Sequence, residues 1–205
     1  KTEQYLDPVQ GWMKKRHGFQ VRQEWIVPTV GIVPALSMMV RKFSKPGEKV
    51  LIQRPVYYPF TNAVKNNDRV VLCNALKLQN NPYETDLKDL EQKAADPDVH
   101  LMILCNPHNP VGRVFNHDEL SQLSEFCVRH DLILISDEIH CDLLLEPRCI
   151  TFEVLHVFFL SHASSPRSAR REAMNGDVPL GFFDRTGLFQ RLDALVELAT
   201  NEAAI

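Results

Sequence analysis

Glycine is scarce in this sequence of 205 residues, and the signatures of phosphate-binding loops are missing. The eight glycines form neither a GxGxxG nor a GxxxxGK[ST] pattern, so a nucleotide-binding domain of the dinucleotide or P-loop type is not expected. The five cysteines form no CxxC pair, and the histidines and cysteines show no spacing typical of metal ligands. We therefore predict no bound metal, and reduced thiols in a cytoplasmic protein.

A strong charge of one sign and a long hydrophobic run are also missing. The formal net charge is −3, which gives no reason to expect nucleic acid or an anionic membrane as a partner. No apolar run approaches the roughly 20 residues that a membrane-spanning helix needs. The hydrophobic content of 44% is enough for an ordinary core, so the sequence predicts a globular domain with neither a membrane nor a nucleic-acid partner.

Apolar strand patterns alternate with amphipathic helix patterns along most of the chain. Strands that are apolar on both faces and alternate with helices indicate a mainly parallel sheet flanked by helices, so the predicted fold class is α/β. The predicted strands are Lys49 to Gln53, Arg69 to Ala75, His100 to Cys105 and Leu132 to Ser136, and the predicted helices are Gly31 to Phe43, Thr85 to Ala95 and Asp118 to Arg129, the last with Asn116 as its N-cap.

Three chemically unusual segments follow predicted strands. They are RPVYYPF after KVLIQ, NPHNPVG after LMILC, and DEIHCD after LILIS. Ligands of open α/β sheets bind beyond the carboxyl ends of the strands. Since all three segments fall at that edge, the sequence predicts a binding site there.

The side chains of these segments suit a planar ring. Asp137 can hold a proton on a ring nitrogen, although an isolated aspartate more often caps a helix. Asn109 offers an amide to a phenolic or carbonyl oxygen, and Tyr57 or Tyr58 offers a flat face for stacking. Together these groups predict a planar, nitrogen-containing ligand.

A glycine before a predicted helix suits an anion. Gly31 would let the backbone N–H groups of Ile32 and Val33 approach a negative group at the positive end of the helix. The predicted ligand is therefore a phosphorylated ring.

The order of the segments TVGIVPAL, RPVYYPF, NPHNPVGRVF and ISDEIHCDLLL resembles that of the fold-type I pyridoxal-phosphate enzymes of the class I/II aminotransferase superfamily. More narrowly, it is similar to the MalY/PatB branch of cysteine-S-conjugate β-lyases, which includes cystathionine β-lyases. The resemblance extends from about Tyr5 to Glu146. It implies the large cofactor-binding domain of the aspartate aminotransferase-like fold, a pyridoxal 5′-phosphate cofactor, a small amino-acid substrate and a homodimer.

The resemblance also implies a role for each matching residue. Asp137 matches the aspartate that pairs with the pyridinium nitrogen, Asn109 the asparagine that bonds the phenolic oxygen, and Tyr57 the aromatic residue stacked on the ring. The turn of Gly31, Ile32 and Val33 matches part of the phosphate-binding cup. His140 stands where typical aminotransferases have a tyrosine, and a histidine there is a mark of the carbon–sulfur lyases.

The Schiff-base lysine of the family has no counterpart. Lys93 is the last lysine of the chain, so the sequence predicts no catalytic residue of this kind. We expect residues 1–152 to be a partial cofactor-binding domain and residues 153–205 to be a divergent tail from a shifted reading frame or a damaged gene, in a chain truncated at both ends. The tail contains a polar, basic stretch at 161–171 and an amphipathic helical pattern from Leu188 to Ala199.

Three functions remain open from the sequence. The first is β-elimination from cysteine-S-conjugates such as cystathionine, the activity that the resemblance implies. The second is amino transfer, which would use the same aspartate and lysine. The third is a non-catalytic binding or regulatory protein, or a truncated product without a stable fold, as the missing lysine suggests.

Overall fold

The computed structural model describes residues 3–78 and 83–143. The predictions for residues 153–205, including the polar stretch and the amphipathic helix, lie outside the described residues. In chain order the elements are α1 (Glu3–His17), α2 (Ile32–Phe43), β1 (Lys49–Arg54), α3 (Pro59–Lys65), β2 (Val70–Ala75), β3 (Lys77–Leu78), β4 (Tyr83–Glu84), α4 (Leu87–Ala94), β5 (Val99–Cys105), α5 (His117–Arg129) and β6 (Ile133–Asp137), with short 3₁₀ helices at Gln23–Trp25 and Cys141–Leu143.

Four strands form one parallel sheet, in the order β2-β1-β5-β6. The predicted α/β class is confirmed, and every predicted strand and helix is present to within two residues at its start. Strands β3 and β4 pair separately as a short antiparallel hairpin.

Helices cover both faces of the sheet, as the doubly apolar strands predicted. Side chains alternate between faces along each strand. One face packs against α2 and α3 through a cluster made of Leu36, Val40, Val50, Ile52, Phe60, Ala63, Val64, Leu101, Ile103, Cys105, Ile133 and Ile135. The other packs against α4 and α5 through Leu51, Leu90, Ala94, Val99, Met102, Leu104, Phe115, Leu120, Leu123, Phe126, Cys127, Leu132 and Leu134.

The ends of α5 and α2 follow from local chemistry. Asn116 accepts the backbone N–H of Glu119 at 2.9 Å, and the Glu119 carboxylate accepts the backbone N–H of Asn116 at 2.8 Å, which is a complete capping box. Gly31 precedes α2 with φ 154° and ψ 166°, a conformation that is essentially restricted to glycine.

Two helices and the hairpin were not predicted. Helix α1 contains Pro8, and α3 is only seven residues long, with Pro59 in its first turn.

Within residues 3–78 and 83–143, no helix is long and apolar enough to cross a membrane. The cysteines described are free thiols: Cys105 and Cys127 are buried, and Cys73 and Cys141 are half-buried.

Candidate active site at the carboxyl edge of the sheet

A crevice is expected between β1 and β5, because the chain leaves these neighbouring strands in opposite directions. After β1 it enters α3 on one face, and after β5 it enters α5 on the other. Such a reversal in strand order is where open α/β sheets bind ligands. The segments RPVYYPF and NPHNPVG both start at this point.

Hydrogen bonds join these two segments into one unit. The backbone N–H of Tyr57 donates to the carbonyl of Asn109 at 2.9 Å. His108 Nε2 lies 2.9 Å from the carbonyl oxygen of Pro55, and since a carbonyl only accepts, the proton of His108 is on Nε2. Tyr57 and Asn109 are therefore held in a fixed relation by the two bonds.

His108 itself lies in a loop and is buried. Its side chain is 2% exposed and its Nδ1 has no hydrogen-bond partner among the described residues. Burial lowers the pKa of His108, and the carbonyl of Pro55 opposes that shift. The imidazole therefore acts as a neutral connector between the loops.

Asp137 ends β6 with a carboxylate that is only partly satisfied. It is in register with Cys105 on β5, and its side chain is 7% exposed. The backbone N–H of Ile139 donates to Oδ1 at 3.1 Å, whereas no described residue donates to Oδ2. Burial raises the pKa of Asp137, against the opposing effects of the Ile139 N–H and of nearby His140. A carboxylate in this state is well suited to a ligand that brings its own positive N–H group.

Cys105 fixes the start of the NPHNP turn, a role that sequence analysis did not assign. Its Sγ lies 3.4 Å from the backbone N of Asn109, which donates to it, and 3.4 Å from the carbonyl of Pro107, which accepts from it. Burial raises the pKa of Cys105 to about 11, so the thiol keeps the proton that it donates. Nothing in the sequence distinguishes this cysteine from any other apolar strand residue.

The side chains of Asn109 and of the two tyrosines are available at this edge. No described residue hydrogen bonds the Asn109 side-chain amide. Tyr57 is 40% exposed and Tyr58 is 70% exposed, with ring centroids 5.4 Å apart. Of the two, Tyr57 is the less exposed and is the one bound to Asn109, which favours it as the stacking residue.

The turn before α2 lies toward the same edge. Helix α2 ends at Phe43 and the chain then enters β1 at its amino end, so the first turn of α2 points toward the carboxyl edge. The backbone N–H groups of Ile32 and Val33 belong to this turn, where an α-helix has no internal acceptors. They are therefore free to bind an anion there.

All the side chains predicted for the site thus lie at one edge of the sheet. A backbone hydrogen bond joins Tyr57 to Asn109. His140 lies near enough to Asp137 to lower the pKa of its carboxyl. Their roles toward a ligand stay predictions. The last lysine, Lys93, lies elsewhere: its Nζ pairs with Asp89 and donates to the carbonyl of Cys73.

Two curated proteins match about two thirds of this chain in sequence. The chain is 48% identical over 139 residues to cystathionine β-lyase PatB of Bacillus subtilis, covering 68% of this chain and 36% of that protein. It is 33% identical over 144 residues to protein MalY of Escherichia coli, covering 70% of this chain and 37% of that protein. The chain thus spans little more than a third of the length of these curated relatives.

Two solved structures match about three quarters of this chain. Cystalysin of Treponema denticola, whose crystal structure contains pyridoxal 5′-phosphate, matches with a TM-score of 0.72 and 41% identity over 75% of this chain and 39% of that one. The carbon–sulfur lyase of Staphylococcus hominis, also solved with pyridoxal phosphate, matches with a TM-score of 0.71 and 34% identity over 76% of this chain and 40% of that one. The family model described as aminotransferase class I and II matches residues 6–165. Because that match covers more than half of the sequence, the chain belongs to the class I and II aminotransferase family.

Proposed function

We propose that this chain forms the cofactor-binding part of a pyridoxal-phosphate-dependent carbon–sulfur β-lyase that acts on cystathionine or related cysteine-S-conjugates. The observation that carries the proposal is the buried carboxyl of Asp137, with Oδ2 free of described donors, at the sheet edge that also presents Asn109. The relatives named as cystathionine β-lyases and the carbon–sulfur lyase structures support the choice of reaction.

The donor set at this edge fits the cofactor group by group. A carboxylate suits a protonated pyridine nitrogen, an amide suits a phenolic oxygen, and a tyrosine ring suits the face of a flat heterocycle. The N-terminal turn of α2 suits a phosphate. When bound, pyridoxal phosphate supplies an electron sink for the negative charge that develops at Cα of the substrate.

The proposed role of these residues is to hold and polarise the pyridoxal-phosphate ring. Asp137 would keep the ring nitrogen protonated, because its burial makes an unpaired negative charge costly and a neighbouring N–H cation favourable. Asn109 would orient the ring through its phenolic oxygen. The bonds from Tyr57 and His108 hold the two loops together, so that both contacts are available before the ligand arrives.

Turnover needs one more group. An amine must hold the aldehyde and move the proton from Cα, and the sequence contains no lysine after Lys93. We therefore propose cofactor binding for the described residues, and β-elimination only where an amine reaches this edge.

The test is to add pyridoxal phosphate to the full 205-residue chain, reduce with borohydride, and map any labelled lysine by mass spectrometry. Saturable binding without a specific label is the expected result, and it would favour the non-catalytic alternative for this chain. A single labelled lysine with a matching visible absorbance would show that a substitute amine is in use. Absence of saturable binding would overturn the proposal.

Amino transfer is the second candidate function, and a sequence similarity supports it. The chain is also 29% identical over 133 residues to an aspartate aminotransferase of Sulfolobus acidocaldarius. His140, at the position where aminotransferases of this type have a tyrosine, favours the lyase. A full-length relative with this core would separate them, because a lyase releases pyruvate from cystathionine and an aminotransferase transfers the amino group to a keto acid.

Location and assembly are further proposals. We propose a cytoplasmic protein, since the described cysteines are free thiols. We also propose a homodimer, supported by exposed Tyr5, Trp12 and Ile139. Light scattering coupled to gel filtration would test the second proposal, and a monomer at every accessible concentration would contradict it.

A further inference from the structure

Three side chains with metal-binding atoms meet where the end of α1 contacts the segment after β6. His17 is the last residue of α1, and Cys141 and Asp142 begin the 3₁₀ helix that follows β6. His17 Nε2 lies 2.8 Å from Asp142 Oδ1 and 3.8 Å from Cys141 Sγ. A nitrogen, a sulfur and an oxygen from these residues all lie within 4.8 Å of one another.

Nε2 of His17 faces both Cys141 and Asp142, and this geometry limits the chemistry of the three side chains. A relay in which histidine activates a thiol needs one ring nitrogen for the cysteine and the other for the acid. Here Nε2 of His17 faces the thiol and the carboxylate together, so such a relay is not formed. A nitrogen, a sulfur and an oxygen that lie within 4.8 Å of one another are instead close enough to bind the same metal ion. We propose that His17, Cys141 and Asp142 bind a divalent cation of the zinc type.

The distances are close to those that such an ion requires. Zinc bonds of about 2.0–2.3 Å at tetrahedral angles place nitrogen and oxygen ligands about 3.4 Å apart, and sulfur about 3.6 Å from either. The observed Sγ–Nε2 distance of 3.8 Å is already near that value, and the Nε2–Oδ1 distance of 2.8 Å has to open slightly. Side-chain rotations are enough for this change. One imidazole, one thiolate and one carboxylate leave a fourth position for water.

Neighbouring groups orient two of the ligands. The indole N–H of Trp12 donates to Asp142 Oδ2 at 2.9 Å, which turns Oδ1 toward His17. The His17 side chain is 6% exposed, so its ring is held by packing. Ligands that are oriented in this way before the ion binds raise its affinity.

Arg16 opposes the site. Its Nε lies 3.9 Å from Asp142 Oδ1, and its guanidinium also donates to the Asp142 carbonyl at 3.4 Å. A thiolate and a carboxylate balance the charge of a divalent ion, and the Arg16 side chain is about half exposed, so water screens the remaining repulsion. Arg16 still competes with the ion for Asp142 Oδ1, so replacing this arginine should strengthen binding.

A bound ion would join α1 to the segment that carries His140. Cys141 and Asp142 directly follow that histidine, and His17 is separated from them by more than 120 positions in sequence. The proposed ion would thus restrain the segment beside the candidate active site. The proposed ion site is independent of the proposed lyase activity, since other side chains form it.

The experiment is a titration of the full chain with Zn²⁺ by calorimetry and with Co²⁺ by absorption. We expect one ion per chain and a thiolate-to-cobalt charge-transfer band. C141S should remove the band, and H17Q should weaken Zn²⁺ binding at least about tenfold. C73S is the matched control, because Cys73 is also a half-buried free thiol but lies on β2, and it should bind like the unaltered chain.

Two further variants separate a built site from casual binding to thiols and imidazoles. R16Q should bind Zn²⁺ more tightly than the unaltered chain, and W12F about tenfold more weakly, with far-ultraviolet circular dichroism confirming that each variant is folded. Equal loss of binding in C73S and C141S, or a cobalt complex without the charge-transfer band, would overturn the proposal. No saturable binding of either ion to the unaltered chain would do the same.

Discussion

The Asp137→Asn substitution should change cofactor binding and stability in opposite directions. Asparagine has nearly the same shape and its carbonyl oxygen can still accept the Ile139 N–H, which is 3.1 Å from Oδ1 in the native chain. Its NH₂ group, however, stands in place of Oδ2. A protonated ring nitrogen would then meet a donor where it needs an acceptor.

The expected loss of affinity follows from one buried, charge-assisted hydrogen bond. Such a bond contributes about 1.5–3 kcal/mol, which corresponds to a dissociation constant for pyridoxal phosphate about 10- to 150-fold higher. Fluorescence or absorbance titration of the full chain measures this value. Asp131→Asn is the matched control, since Asp131 is similarly buried, at 5% against 7% exposed, but precedes β6 at the opposite edge of the sheet. Asp131 has φ 52°, a conformation that asparagine also tolerates.

Without the cofactor, the same substitution should stabilise the chain at neutral pH. Burial raises the pKa of Asp137 above its unfolded value, so the folded state binds the proton more tightly. Its contribution to the free energy of unfolding is therefore fully present below the unfolded pKa and is lost as pH rises through the folded pKa. An asparagine side chain does not titrate, so the variant serves as the reference. The native chain should lose stability relative to it over that pH range, as thermal melts at several pH values would measure.

Two results would refute this account. Unchanged affinity for pyridoxal phosphate in Asp137→Asn would show that the carboxylate does not contact the cofactor. A fall in both affinity and melting temperature would show that the substitution only damages the fold.

The remaining predictions concern the residues that shape the site. His108→Gln should keep a donor for the Pro55 carbonyl. Burial lowers the pKa of His108 in the folded state, so we expect this histidine to destabilise the native chain as pH falls below about 6.5, and the variant to lack that contribution. Thermal melts of both chains at several pH values measure the difference. Gly31→Ala should cost about 1–3 kcal/mol through backbone strain alone, since its Cβ would lie 3.7 Å from Pro34, and Asn116→Ala about 0.5–2 kcal/mol through loss of the N-cap. Urea unfolding measures both, and equal stability of either variant with the native chain would contradict the corresponding argument.

The elements that the sequence predicted well are those with local signals. Apolar runs such as LMILC and LILIS place apolar side chains on both faces of a strand, so both faces must be packed against other elements. Strand β5 is indeed buried along its whole length. The cap at Asn116 lies in the sequence as an asparagine three residues before Glu119, and the structure completes it in both directions. Helix α3 was missed because seven residues carry too little periodicity.

The site was predicted only in part, for a physical reason. The side chains that end strands lie at one edge whenever the sheet is parallel, so Asp137, Asn109 and Tyr57 could be grouped from sequence alone. The supporting bonds could not, because they join segments that are far apart in the chain. His108 reaches the Pro55 carbonyl across 53 positions, and no local sequence pattern indicates this buried connection.

The sequence by itself determined the alternation of strands and helices, the parallel sheet, and the residue types that end each strand. Those properties depend on local periodicity and on the geometry of strand crossing. Tertiary structure alone decided the burial that raises the pKa of Asp137, the thiol that anchors the NPHNP turn, and the meeting of His17 with Cys141 and Asp142. Each of these depends on the distance between residues of different elements, which only the packing of the helices on the sheet determines.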